Sequence, residues 1–266
     1  MTFATGKLAM PILKRTRCAL ALGAVLALGA CAYNEELGRN QLLLVNNDSL
    51  AKASQDAWAT TLSKGKVSRD AQANARVRAV GTRLVQAVGL ADRPWQYVVF
   101  EDPTANAFVL PGGQVGVNTG LLNIVRNDDQ LAAVIGHEIG HMTAQHAAER
   151  YSQAAATQLV VAGAQAAAGR VTSADNARAI ASLGGVGAQM GVLLPFSRKH
   201  ELEADSLGVG YMVKAGYRAS EAVALWRLMA QNRTAGGAPP QFLSTHPSDE
   251  TRIAALQALI ASRGWN

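Results

Sequence analysis

The stretch Asn127–Arg150, NDDQLAAVIGHEIGHMTAQHAAER, constrains this chain more than any other. It contains His137-Glu138-Ile139-Gly140-His141, two histidines four residues apart with a glutamate directly after the first. Successive residues of a helix turn about 100°, so His137 and His141 stand about 40° apart, one turn above the other. Two neutral imidazoles on one ridge can grip a single Zn²⁺, and Glu138 projects beside them toward the open side of the ion. The flanks predict a helix across the whole stretch. Asn127 to Asp129 cap and charge its start, Leu131, Val134 and Ile135 give it a face to bury, alanines favour it, and Arg150 near its end suits the helix dipole. The competing reading is an exposed helix carrying two histidines by accident. The metal reading makes a demand that can be checked: a third protein ligand must lie downstream.

Phe196–Asp205, FSRKHELEAD, meets that demand by opening another helix, roughly Lys199–Lys214. Glu201 and Asp205 are four apart and share a face. Glu201 completes a His-His-Glu set with the fourth position left open. Asp205, one turn on, is placed to hold a ligand histidine through its other ring nitrogen. Glu203 falls on the opposite side and reads as solvent-facing, and His200 beside Glu201 is uncommitted. Were the upstream motif absent, either acid would read as part of a solvated face. On a continuous helix His146 lies about 140° around from His141, which predicts core packing or a polar contact and not ligation.

The ends and connections carry less chemistry. Lys14, Arg15 and Arg17 precede the apolar run Ala19–Ala30, too short for a stable membrane anchor and typical of an export signal. Leu28-Gly29-Ala30-Cys31 resembles a bacterial lipobox, which predicts removal of residues 1–31 before or at Cys31 and a lipid on that cysteine; ordinary cleavage near Ala30 is the alternative. Cys18 and Cys31 are the chain's two cysteines, so Cys31 loses its only disulfide partner with the signal. Translation from Met10 fits as well as from Met1. The first 31 residues hold four of the 25 basic residues and none of the 19 acids, so the net charge of +6 largely disappears with them. With no aromatic-interleaved basic patch, nucleic acid is not an expected partner.

Residues 32–48 read as a tether with an amphipathic entry, and 49–266 as a single domain large enough for a real core. Two helices are expected between Ser49 and Val88, the second over about Arg69–Val88 with Val77, Val80, Leu84, Val85 and Val88 at helical spacing and Arg76, Arg78 and Arg83 on a solvated face. Trp95–Phe100 reads as a strand. Asn106–Leu110 and Gln114–Asn118 around Pro111-Gly112-Gly113 read as a hairpin. A strand edge beside a zinc helix can hold an extended peptide by backbone pairing. The Gly/Ala-rich stretch 163–194 has three readings: paired short helices, a membrane-facing hairpin or, preferred, a lid.

His137–His141 with Ser197–Asp205 resembles the M48 family of gluzincin metallopeptidases, which includes CAAX prenyl proteases, a heat-shock membrane protease and a mitochondrial inner-membrane protease. The likeness extends to Asn106–Leu122 and to Thr245-His246-Pro247-Ser248, covers most of Ala73–Ile260, and is greatest to a lipoprotein branch of bacterial envelopes. The resemblance implies an α+β, mostly helical, zincin-like catalytic domain with a small sheet or hairpin beside the HExxH helix. It implies zinc on His137, His141 and Glu201, Glu138 as general base and Asp205 as acidic helper. The expected activity is zinc endopeptidase cleavage of misfolded or unassembled envelope proteins, bound in extended form, at the periplasmic face of the outer membrane. His246 has three readings: a loop histidine, a donor to the oxyanion of a tetrahedral intermediate, or a fourth ligand that keeps the site latent. Arg252 is a second candidate for steadying that charge. Two rival functions stand beside peptidase activity: a non-catalytic chaperone or assembly lipoprotein with structural zinc, and a hydrolase of another bond, such as a cell-wall amidase. Oligomeric state is not legible.

Overall fold

A computed structural model describes residues 31–45, 47–167, 196–234, 242, 246 and 250–265. The expected signal segment, the stretch 168–195 and the residues flanking His246 lie outside the described residues. A hairpin of β1 (Cys31–Asn34) and β2 (Arg39–Leu42) leads to helices α1 (Asn47–Lys64) and α2 (Ala71–Ala87). Strands β3 (Gln96–Phe100), β4 (Ala107–Val109) and β5 (Gln114–Asn118) and the short α3 (Thr119–Leu122) follow. Then come α4 (Asp128–Thr143), α5 (His146–Ala167), α6 (Arg198–Lys214), α7 (Ser220–Thr234) and α8 (Glu250–Arg263). The fold is α+β and mostly helical, as expected.

The three-stranded sheet has the order β3-β5-β4, with β3 parallel and β4 antiparallel to β5. Alternation along the strands sorts its two faces. Val99, Ala107, Val115 and Val117 join Val77, Val80, Leu84 and Val85 of α2 and Leu131, Val134, Ile135 and Ile139 of α4 in the main core. On the other face Phe100 and Phe108 pack edge-on to Trp58 of α1, whose indole N–H donates to Gln96 Oε1 at 2.8 Å. Burying side chains such as Ile135 and Leu84, both at 0% exposure, contributes about 1.5–3 kcal/mol each. The expected Asn106–Asn118 hairpin is present, and its outer strand, β4, is an edge of the sheet among the described residues and lies against α4.

Two expectations are corrected. Residues 32–48 read as a tether with an amphipathic entry, whereas Cys31–Asn34 and Arg39–Leu42 form a paired hairpin docked on the helices through polar side chains. Asn34 Nδ2 and Gln41 Nε2 both donate to the carbonyl of Ala144, at 3.3 and 2.8 Å. Such a strand pair carries no apolar alternation to announce it. The helix predicted from Asn127 to Arg150 is also broken. It stops at Thr143, Gln145 takes a left-handed φ of 55°, and α5 starts at His146. Nothing in Thr143-Ala144-Gln145 signals this, because the break is held from outside by the hairpin's bonds to Ala144. Arg78 and Arg83 are exposed, as the expected solvated face requires, with Arg83 lying over the Tyr217 ring; Arg76 is half-buried and pairs with Asp128 at 2.7 Å. Among the described residues no helix is long and apolar enough to cross a membrane.

Candidate metal centre

Local capping sets each candidate ligand in place. Asn127 Oδ1 accepts the Gln130 N–H at 2.9 Å and starts α4, and Ser197 Oγ accepts the His200 N–H at 3.2 Å and starts α6, placing Glu201 in its first turn. The two helices cross with their backbones in contact. A Cβ at Gly140 would stand 2.9 Å from the Ala204 carbonyl oxygen, and one at Gly208 would stand 2.8 Å from the His137 nitrogen. Only at that separation does a glutamate on α6 reach the two imidazoles on α4.

Four groups from these helices and the segment after α7 converge. His137 Nε2 and His141 Nε2 are 3.1 Å apart, and the Glu201 carboxylate lies 3.4 Å from each. His246 Nδ1 is 3.1 Å from Glu201 Oε1 and 3.3 Å from His137 Nε2. All four residues are buried. Donors bonded tetrahedrally to zinc at 2.0–2.1 Å stand about 3.3 Å from one another, which these separations match, and imidazole with carboxylate is a donor set that suits zinc. The residues therefore fit a single Zn²⁺. Glu138 is buried beside them, with Oε1 making no hydrogen bond among the described residues and His246 Nε2 3.3 Å away.

The surrounding charges are arranged for this. Asp205 Oδ1 approaches His137 Nδ1 at 2.9 Å, behind the ligand nitrogen, as the four-residue spacing predicts. Burial would raise the Asp205 pKa, but the Arg252 charge and the contact with His137 bring it below its ordinary value. Arg252 donates to both Asp205 oxygens at 2.8 Å and places Nη1 2.6 Å from Glu201 Oε2, with its guanidinium 4.1 Å above the Trp226 ring. Arg252 is thus engaged with both Asp205 and Glu201. Burial works against the charge on Glu201 as well, yet bonds from His137, His141 and His246 hold it far below the usual carboxylate range. His137 is pushed up to about 9, its two carboxylate partners outweighing burial. Glu138 moves the other way: burial raises it, partly offset by His246, His137 and a backbone hydrogen bond from Val109 on β4. A carboxylate raised by burial beside a metal site suits proton transfer.

Behind the ligands the structure adds residues that the sequence did not reveal. The break at Gln145 folds His146 back, so that its Nδ1 meets His141 Nδ1 at 2.9 Å; the contact is polar, as expected, but through a turn and not a continuous helix. Glu203, expected in solvent, instead faces His146 Nε2 at 3.0 Å and pairs with Arg39 at 2.6 Å. His200 faces Glu149 at 3.2 Å, and burial lowers its pKa to about 4. Phe196 stacks on His141 at 3.9 Å, and Phe242 on His246 at 4.5 Å. The FSRKHELEAD stretch held a signal for Phe196, whereas Arg39, far off in sequence, had none.

A paired-histidine helix completed by a glutamate from a second helix, with an acid behind the first histidine, defines a gluzincin-type zinc centre. The profile of peptidase family M48 matches residues 71–260. The mitochondrial metalloendopeptidase OMA1 of Schizosaccharomyces pombe is 37% identical over 175 residues, 66% of this chain and 49% of that protein. OMA1 of Bos taurus is 31% identical across 84% of this chain and 45% of that protein. A putative beta-barrel assembly-enhancing protease of Vibrio cholerae is 30% identical across 70% of this chain and 39% of that protein. The chain belongs to peptidase family M48, a family of zinc metallopeptidases. It spans half or less of the length of the relatives it matches.

Proposed function

We propose that this chain is a zinc-dependent endopeptidase in which His137, His141 and Glu201 hold the metal and Glu138 is the general base. The observation that carries the reading is the convergence of the three ligands from two helices, with the Glu138 carboxylate buried next to them. Zinc, when bound there, supplies a Lewis acid that acidifies water and polarises a carbonyl. Glu138 takes the proton of the attacking water and passes it to the leaving amine. Asp205, clamped by Arg252, keeps His137 oriented. Extended substrates pair with β4. The register with β5 leaves the backbone groups of Ala107 and Val109 on the outward side of that strand, beside α4; the Val109 N–H there bonds Glu138, so a substrate pairs through the Ala107 groups and the Val109 carbonyl. This edge favours a peptide bond over a cell-wall amide.

His246 is assigned to the open position. Its Nδ1, at the separation from Glu201 and His137 that two donors to one zinc would have, supports the latch reading; donation to the oxyanion is the role it takes when it leaves that place. A non-catalytic scaffold with four-ligand zinc is the second reading, favoured by the same contact and opposed by the presence of Glu138. For location, the lipobox-like Leu28–Cys31 and the bacterial relative support a lipid-anchored envelope enzyme, facing the periplasm from the outer membrane and acting on misfolded or unassembled proteins. Since β1 starts at Cys31, a lipid there would hold the domain flush with the membrane without a spacer.

Zinc content and casein cleavage by the purified chain test the proposal. Glu138→Gln is expected to retain zinc and lose at least about 10²–10⁴-fold of the cleavage rate, the usual contribution of a general base. A Glu138→Gln protein cleaving at the unaltered rate would refute the assignment.

A further inference from the structure

We infer that the N-terminal hairpin is a positioning element of the metal centre, acting on the ligand His141 through Arg39, Glu203 and His146; the inference rests on the zinc reading of His137, His141 and Glu201. All five histidines of the chain are buried in one cluster, and two of them, His146 and His200, are not ligands. His141 turns Nε2 toward the other ligands and Nδ1 toward His146 Nδ1, 2.9 Å away. Two ring nitrogens at that distance need one proton between them. A neutral His141 that offers its Nε2 lone pair to a cation carries its proton on Nδ1. His146 Nδ1 must then accept, and the His146 proton must sit on Nε2. That Nε2 faces Glu203 Oε2 at 3.0 Å, and an ionised carboxylate can only accept. The wiring therefore runs one way, from the metal ligand outward to an acid.

Glu203 is held by the hairpin. Arg39 donates through Nε to Oε1 at 2.6 Å and through Nη2 to Oε2 at 2.7 Å. The same guanidinium donates to both oxygens of Glu149 at 2.8 Å, and Gln41 adds a bond to Glu149 at 2.7 Å. Glu149 in turn faces His200, whose ring stacks on His146 at 4.4 Å with planes 20° apart. One hairpin cation thus bridges two acids that face both non-ligand histidines, with Lys199 Nζ 3.9 Å from Glu203 as a second, more exposed cation beside them. Without Arg39, two neighbouring carboxylates lack their shared counter-charge, Glu203 turns to solvent, and His146 loses the acceptor that sets its tautomer.

Zinc affinity by chelator competition and the visible spectrum of the Co²⁺-loaded full chain test this in Arg39→Ala, His146→Leu and His146→Asn, with thermal unfolding of each. Asparagine retains an acceptor near the Nδ1 position. Arg39→Ala and His146→Leu are expected to raise the zinc Kd about 10–100-fold, the usual cost of losing such a partner, and to shift the Co²⁺ bands. His146→Asn is expected to keep the unaltered spectrum and a Kd within a few-fold. A lowered Tm with unchanged Kd and spectrum in Arg39→Ala overturns the inference, as does a His146→Asn protein that behaves like His146→Leu. If Arg39→Ala does not fold, the His146 pair decides. Failure of the unaltered chain to bind zinc overturns the zinc reading, and this inference with it, a result distinct from variants that match an unaltered chain that binds.

Discussion

His246 presents Nδ1 to Glu201 and His137 and Nε2 to Glu138, so its removal separates two roles by sign. If it latches the site, His246→Ala raises the casein cleavage rate several-fold; if its main work is to donate to the oxyanion, the same change lowers the rate by about 10²–10³-fold. The Nδ1 contacts favour the gain, and initial rates of the two proteins at saturating zinc decide it. A loss on that scale would contradict the latch. The convergence of His137, His141 and Glu201 is legible in the sequence, because spacing of four on a helix is a geometric statement that survives folding. The partners behind them are not. The angle of Glu203 on α6 alone points it to solvent; the Arg39 hairpin and the turned-back His146 that cover that side leave no trace in that spacing.

The elements converge because α4 and α6 are notched. Gly208 sits where a side chain would meet the backbone of His137 at 2.8 Å, and backbone cannot swing aside as a long side chain would. Gly208→Ala is therefore expected to push the helices apart, to cost about 1–3 kcal/mol of stability and to weaken zinc binding by moving Glu201 from the imidazoles. Denaturant unfolding and chelator competition check both; an unchanged zinc Kd would show that Glu201 does not depend on this approach. Most elements could be read from pattern: the 3.6-residue spacing of α2, the β-branched run of β3, and the cap at Asn127. The β1–β2 hairpin and the break at Gln145 could not, since each exists through the other. Polar strands with no buried apolar face gain their place from the Ala144 carbonyl, and that carbonyl is exposed to them by the break.

Across the whole molecule, buried titratable groups behind the centre make stability depend on pH. His200 is lowered from 6.5 to about 4 by burial, and Glu203 from 4.5 to about 2 by His146 and Arg39 acting against burial. Both bind fewer protons folded than unfolded, so the stability they contribute is complete above about pH 6.5. It is lost on acidification, first through His200 between 6.5 and 4 and then through Glu203 between 4.5 and 2. Tm is expected to fall from pH 7 to pH 5, and to fall less in His200→Gln at equal zinc; a parallel fall in the variant would assign the loss elsewhere. The central claim is that side chains from α4 and α6 meet at one cation, and zinc-edge X-ray absorption of the purified chain tests it most directly. One zinc per chain is expected, with nitrogen and oxygen donors at about 2.0–2.1 Å, imidazole outer-shell scattering, no sulfur near 2.3 Å, and an altered spectrum in Glu201→Ala. A chain that retains no zinc, a shell without imidazoles, or an unchanged spectrum in Glu201→Ala would contradict it.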